Sequence, residues 1–234
     1  MLEIRDLRAG YGLSEVLDGV DLDVPDGTFA AVLGRNGMGK TTLCRSIMAL
    51  DPPTVTGGSI AYDGDELTGR APHDVARAGI GYVPQGRHVF HSLDVVKNLT
   101  VAARGDDGWT LDRVWEAFPR LAERRGNDAG QLSGGEQQML AIARALMTNP
   151  RLLIMDEPSE GLAPIVVEAV AEQLEALKAD GGLSLLLVEQ NYTLAMRLAD
   201  VVFVLENGQV VFRGAPDELD ADEDVRRRSL GVGV

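Results

Sequence analysis

The stretch GRNGMGKT, Gly34 to Thr41, spaces two glycines five residues apart and follows the second with lysine and a hydroxyl. Glycine lets the backbone curl until successive N–H groups converge on phosphate oxygens. At this spacing Lys40 would meet the β- and γ-phosphates of a nucleotide, and the Thr41 hydroxyl would ligate Mg²⁺. The candidate nucleotide contacts in this stretch are Gly34, Asn36, Gly37, Gly39, Lys40, Thr41 and Thr42. A second group of residues suits the same chemistry. RLLIMDEP (151–158) is an apolar run that delivers Asp156 and Glu157 at its end, where α/β sheets bind ligands. Asp156 would hold the metal ion through its water shell, and Glu157 would orient and deprotonate an attacking water. Acidic residues at a strand end also cap helices, and on this stretch alone that simpler reading stands beside the catalytic one.

Positioning these residues requires a strand before each loop and a helix after it. FAAVL precedes the phosphate loop and an apolar helix, TTLCRSIMA, follows it to Ala49. Strands are expected near Leu2–Leu7, Val16–Val24 and Thr28–Leu33, then a strand and turn at 57–64 and a strand at 79–85 that ends in a proline break. From Gly86 to Gly135 the texture turns charged and mostly helical, with a Gly/Asp loop at RGDDGWT and a Gly-rich one at QLSGG. Helix 136–148, strand 151–155, helix 165–178, strand 183–188, helix 192–198 and strands 200–206 and 209–213 follow. Two short surface helices and a tail close the chain. Strands alternating with helices imply an α/β core with parallel strands, elaborated by a β-rich start and a helical middle.

The chain has 234 residues, 45% of them apolar, and a net charge of −14. The acidic balance argues against a nucleic-acid partner, which needs a basic footprint. No charged–apolar–small leader opens the chain. Runs such as SLLLV and VVFVL are too short for a bilayer, which needs about 20 residues. Together these point to a cytosolic protein. The single cysteine, Cys44, excludes an internal disulfide and reads as a packed thiol on an apolar helix. His88 and His91 have no paired ligands at metal spacing and read as surface or packing residues.

QLSGGEQQMLAIARAL (131–146) places Ser133, Gly134, Gly135 and Glu136 at the start of an apolar-striped helix. Free N–H groups and the positive dipole end make such a start an anion site. A plain helix cap, Ser133 with Glu136, is compatible with that role. The stretch resembles the signature of ABC-type ATPases. The phosphate loop, YVPQGR with Gln85, and LLIMDEPSEGL stand in that family's order and spacing, so the resemblance covers nearly the whole chain. It implies an α/β fold: a phosphate-loop ABC ATPase with a RecA-like parallel-sheet core and an N-terminal antiparallel β subdomain. The core would comprise residues 1–85 and 150–234, with a helical subdomain inserted at about 86–149. It implies ATP and Mg²⁺ as ligands, and ATP hydrolysis. It also implies a head-to-tail pair of ATPase subunits in which Ser133, Gly134, Gly135 and Glu136 complete the partner's site. Tyr11 matches the aromatic residue that stacks on adenine. Gln85 matches the residue that touches Mg²⁺ or the lytic water and marks the joint to the helical subdomain. Segment 86–103 resembles the surface that receives a membrane permease.

VPQGRHVF, FPRLAERR, DEPSEGLAP, LLVEQN and VLENGQVV are similar to the second ATPase of branched-chain amino-acid importers. The implied place is the inner membrane face, beside permease subunits, a second ATPase and, through the complex, a solute-binding protein. Gln85, often glutamate in those subunits, and GRNGMGKTT with Glu160 are instead similar to urea and short-amide importers. DNA-repair and translation ABC proteins resemble chains with coiled-coil insertions or fused ATPase halves, and neither is visible; a small-molecule kinase has no use for LSGGEQQ. The largest departure is Gln190. The family usually carries a histidine there that contacts the γ-phosphate, and His73, His88 and His91 all lie far away in sequence. A glutamine amide can donate one hydrogen bond to phosphate but cannot become cationic. The resemblance therefore implies a weakened third catalytic contact at Gln190 beside Glu157 and Gln85, and two unequal ATP sites if the partner carries the histidine.

Overall fold

The computed structural model describes residues 1–105 and 108–231. Asp106 and Asp107 of the expected Gly/Asp loop, and the last three residues of the tail, lie outside the described residues.

Two sheets form the frame. Strands β1 (Leu2–Tyr11), β2 (Ser14–Val24), β4 (Thr54–Tyr62) and β5 (Asp65–Glu66) make an antiparallel sheet in the order β2-β1-β4-β5. Strands β3 (Phe29–Leu33), β6 (Ile80–Val83), β7 (Leu152–Asp156), β8 (Ser184–Glu189), β9 (Val201–Glu206) and β10 (Gln209–Gly214) make the second, in the order β10-β9-β3-β8-β7-β6. All its pairings are parallel except β10 with β9. FAAVL, LLIMD and SLLLVE are buried along their whole length, as strands covered on both faces must be. Ala30, Val32, Ile154, Leu186 and Val188 face a core shared with helix α1 (Lys40–Ile47) and the antiparallel sheet. Leu153, Met155, Leu185 and Leu187 face the opposite core. Truncating one of these leucines to alanine would cost about 2–5 kcal/mol.

Helix α2 (Pro72–Arg77) precedes β6, and α3 (Val95–Thr100), α4 (Leu111–Ala117), α5 (Pro119–Glu123) and α6 (Gly134–Leu146) fall between β6 and β7. Val95, Leu99, Val114, Phe118 and Leu121 pack into the same core as Leu153 and Leu185, so these helices are fastened to the sheet by apolar burial. Helix α7 (Pro164–Asp180), with proline in its first turn, leads to β8. Helix α8 (Tyr192–Leu198) leads to β9, and α9 (Pro216–Ala221) follows β10. Among the described residues no helix is long and apolar enough to cross a membrane.

Some expected boundaries move for local reasons. Strand β4 begins at Thr54, ahead of the expected 57, because Gly57 and Gly58 do not open it. Gly58 stands opposite a bulge in β1, where Asp6 and Leu7 together face it between the Arg5–Ser59 and Arg8–Gly57 pairs, and a Cβ on Gly58 would lie 2.3 Å from the Asp6 carbonyl oxygen. Strand β6 ends as expected at the proline break, with Val83 its last residue before Pro84. Helix α2 is a six-residue piece too short for a periodic signal. Helix α6 starts at Gly134, two residues before the expected position, because Ser133 caps it.

Candidate nucleotide site

The sheet order decides what meets at its C-terminal edge. β8 lies between β3 and β7, with Leu33 level with Glu189 and Asp156 level with Val188. The phosphate loop, the Asp156–Glu157 pair and the Glu189–Gln190 break therefore leave the sheet side by side.

Gly39 caps α1 at φ 104°, and Gly37 sits at φ 82°, conformations that glycine adopts without a Cβ penalty. Space is short as well. A Cβ on Gly39 would lie 2.8 Å from a Leu17 methyl, and one on Gly34 2.6 Å from the Leu205 carbonyl oxygen. The loop is thus held between β2 and the end of β9. The Lys40 ammonium, buried beneath it, donates to the carbonyl oxygens of Gly34 and Arg35 at 2.8 and 2.9 Å. It also pairs with Glu157 Oε1 at 2.9 Å, with only 3% and 7% of the two side chains exposed. A buried pair of this kind holds both charges only because each neutralises the other. Glu157 sits at φ 48°, immediately after β7, and its N–H donates to the Val188 carbonyl at 2.8 Å. A non-glycine residue in that conformation carries backbone strain of the kind that gathers at active sites.

Asp156 lies one step deeper. Its carboxylate accepts from the Thr41 hydroxyl at 3.2 Å and from the Tyr82 hydroxyl at 3.4 Å. Burial raises its pKa to about 6. The Glu157 carboxylate adds to the rise, and Thr41, Tyr82 and Lys40 oppose it. Burial also pushes the Tyr82 phenol well up, so it stays a neutral donor. Gln85 Nε2 donates to Glu157 Oε2 at 3.4 Å and to Glu160 Oε2 at 2.8 Å. Thr41 and Asp156 offer hard oxygen donors where a triphosphate would end, a donor set that suits Mg²⁺, which takes one or two protein oxygens with phosphate and water.

Tyr11, Asn36, Gly37, Gly39, Lys40, Thr41, Thr42, Gln85 and Glu157 all line one pocket of about 390 Å³. The Tyr11 ring stands half-exposed at its edge, with its hydroxyl 3.4 Å from Thr42 Oγ1. Gln190 and the 133–136 segment do not line it. Gln190 is exposed, and its position is fixed through the backbone. The buried Glu189 carboxylate accepts from the N–H groups of Gln190, Asn191 and Ser159 at 3.0, 3.0 and 2.9 Å. Ser133 caps α6 in a reciprocal box: Glu136 N–H donates to Ser133 Oγ, and Glu136 Oε2 accepts from the Ser133 N–H. Cys44 is fully buried and burial pushes its thiol up, while His73, His88 and His91 are exposed.

Two supports of the site lie outside the sequence motifs. Tyr82 shares a strand face with Ile80, and that period-two pattern is the signal that aims it at α1. Glu189 is a buried carboxylate at a strand end, visible only as a charged residue closing an apolar run.

Residues 17–160 match the ABC transporter family. The high-affinity branched-chain amino acid transport ATP-binding protein BraG of Pseudomonas aeruginosa is 42% identical over 99% of this chain and 100% of its own length. The probable branched-chain amino acid transport ATP-binding protein LivF of Archaeoglobus fulgidus is 38% identical over 99% of each. A crystal structure of a nucleotide-free ATP-binding cassette from an ABC transporter superposes with a TM-score of 0.85 at 24% identity. The match covers 100% of this chain and 99% of that one, and it shows the fold. With its phosphate loop, acidic strand end and serine-capped helix in this order, the chain belongs to the ABC transporter family as one of its ATPases.

Proposed function

We propose that this chain is the ATP-hydrolysing subunit of an importer for branched-chain amino acids. It would work at the inner membrane face beneath permease subunits that a solute-binding protein supplies. The full-length match to the Pseudomonas aeruginosa branched-chain transport subunit carries the solute assignment.

The Lys40–Glu157 pair supports a specific course for the chemistry. Triphosphate entering the loop meets the N–H groups around Gly34, Asn36, Gly37 and Gly39, while the adenine stacks on Tyr11. The phosphates compete with Glu157 for the Lys40 ammonium. As Lys40 turns to them, the Glu157 carboxylate is released to accept a proton from water at its free oxygen. Gln85, already within reach of Glu157, orients that water, and Gln190 donates its amide to the γ-phosphate from the end of β8. Thr41, Asp156 and Gln85 would hold Mg²⁺, which when bound offsets phosphate charge. Ser133, Gly134, Gly135 and Glu136 offer their N-terminal turn to the nucleotide of a second ATPase subunit.

The test is uptake of radiolabelled leucine by cells whose own copy is replaced by wild type or by Lys40→Ala. Uptake lost only with Lys40→Ala is the expected result. Leucine uptake untouched by Lys40→Ala, with urea or short-amide uptake lost instead, would overturn the solute assignment and leave the ATPase chemistry standing.

A further inference from the structure

Arg87 follows the Gln85 loop and takes no part in the chemistry above. Its backbone is held at φ 55°, in the region that favours glycine. Its guanidinium Nη2 donates to two main-chain carbonyls, Glu160 at 3.3 Å and Gly161 at 2.7 Å. Those residues lie three and four positions beyond Glu157. The other edge of the same guanidinium rests on the first residue of α6, where a Cβ on Gly134 would lie 2.4 Å from Nη1 and 3.2 Å from Cζ. A Cβ on Gly161 would stand 3.0 Å from Nη2. Two glycines thus make room for one planar cation. The hydrogen-bond partners of the Arg87 guanidinium are main-chain carbonyl oxygens. Two positions earlier Gln85 donates to the Glu160 side chain. The 85–87 turn therefore grips Glu160 by side chain and main chain together and packs against the serine-capped helix.

We propose that Arg87 is a positioning residue. It fixes the loop that follows Glu157 against the first turn of α6, so that the hydrolytic carboxylate of one site and the helix end offered to the other site keep a set spacing. The inference rests on reading Glu157 as the base. Arginine is required because Nη2 reaches both carbonyls while Nη1, on the other edge of the same rigid plane, lies against Gly134; the lysine ammonium is a single nitrogen that cannot occupy both places.

The test compares full-length wild type, Arg87→Ala and Arg87→Lys by steady-state ATP hydrolysis and by amide hydrogen exchange. Misplacement of a catalytic group by ~1 Å costs up to about 100-fold in rate, so Arg87→Ala should lower kcat at least about tenfold and leave KM within about twofold. Arg87→Lys should recover only part of that loss. The Glu160 and Leu162 amides, bonded to the carbonyls of Glu157 and Ser159, should exchange faster in Arg87→Ala, while the Leu43 amide in α1 should not change. An alanine variant with wild-type kcat and unchanged exchange at Glu160 and Leu162 overturns the proposal. So does full recovery of kcat by lysine. A wild-type chain that releases no phosphate would instead sink the reading of Glu157, and the exchange measurement alone would then decide for or against the Arg87 clamp.

Discussion

Replacing Gln190 by histidine asks whether this position lacks strength or only a partner. The side chain is exposed, whereas its backbone is pinned by Glu189, which accepts from the N–H groups of residues 190 and 191 at 3.0 Å each. β8 in turn is pinned by its register with β3 and β7. Gln190→His therefore changes the contact without moving the strand. A neutral amide donating to a phosphate oxygen already makes a charge-assisted hydrogen bond, and an imidazolium in its place adds an ion-pair attraction of about 1 kcal/mol at an exposed site. A gain of about 1 kcal/mol expressed in the transition state is about a fivefold rise in turnover. The rise should be larger at pH 6 than at pH 8, because an imidazole with its ordinary pKa of about 6.5 is cationic only at the lower value. Turnover would be followed by continuous phosphate release at saturating Mg-ATP, and ATP affinity by equilibrium binding of a fluorescent analogue. A fall in turnover with affinity intact, or no change at pH 6, would refute the idea that Gln190 supplies a weakened γ-phosphate contact.

Asp156 titrates near 6, above the ordinary carboxylate value, chiefly because it is buried. Between about pH 4 and 6 Asp156 keeps a proton in the folded chain that it loses in the unfolded one, so its own contribution to stability falls by about 3 kcal/mol as pH rises through that window, read as the difference between nucleotide-free wild type and Asp156→Asn. Stabilisation by Mg-ATP, read as a shift in Tm, should conversely grow from pH 5 to pH 7, and a shift flat across that range would contradict Asp156 as a metal-holding group. Tyr11→Ala removes the ring at the pocket edge, where aromatic–base stacking contributes about 1–3 kcal/mol. Equilibrium binding should weaken about tenfold for ATP and hardly at all for inorganic triphosphate.

Much of this site was legible because its chemistry is local in sequence. The glycines, Lys40 and Thr41 lie within one loop, and Asp156–Glu157 close one apolar strand; all converge because those strands are neighbours in one parallel sheet. Side-chain pairs joining distant segments were not legible. Nothing in the sequence pattern couples Lys40 to Glu157, Tyr82 to Asp156, or Arg87 to Gly134, since each pair joins segments distant in the chain whose spacing is set by tertiary packing. The same limit explains Gly58, whose place opposite a bulge is set by the partner strand β1 and not by its own neighbours. Gln190 lies between these cases. Its residue type was plain, but its placement depends on Glu189, a buried carboxylate that ties it to the loop at Ser159.

The most direct test of the central claim, that Glu157 is the hydrolytic base and shares Lys40 with the incoming phosphates, is Glu157→Gln measured for phosphate release and ATP affinity on the same preparation. Loss of a general base should slow release by about 10²–10⁴-fold. Affinity should hold or rise up to about tenfold, because the variant no longer competes as an anion for the ammonium 2.9 Å away. Phosphate release within about threefold of wild type, or a fall in affinity that tracks the loss of release, would contradict the account.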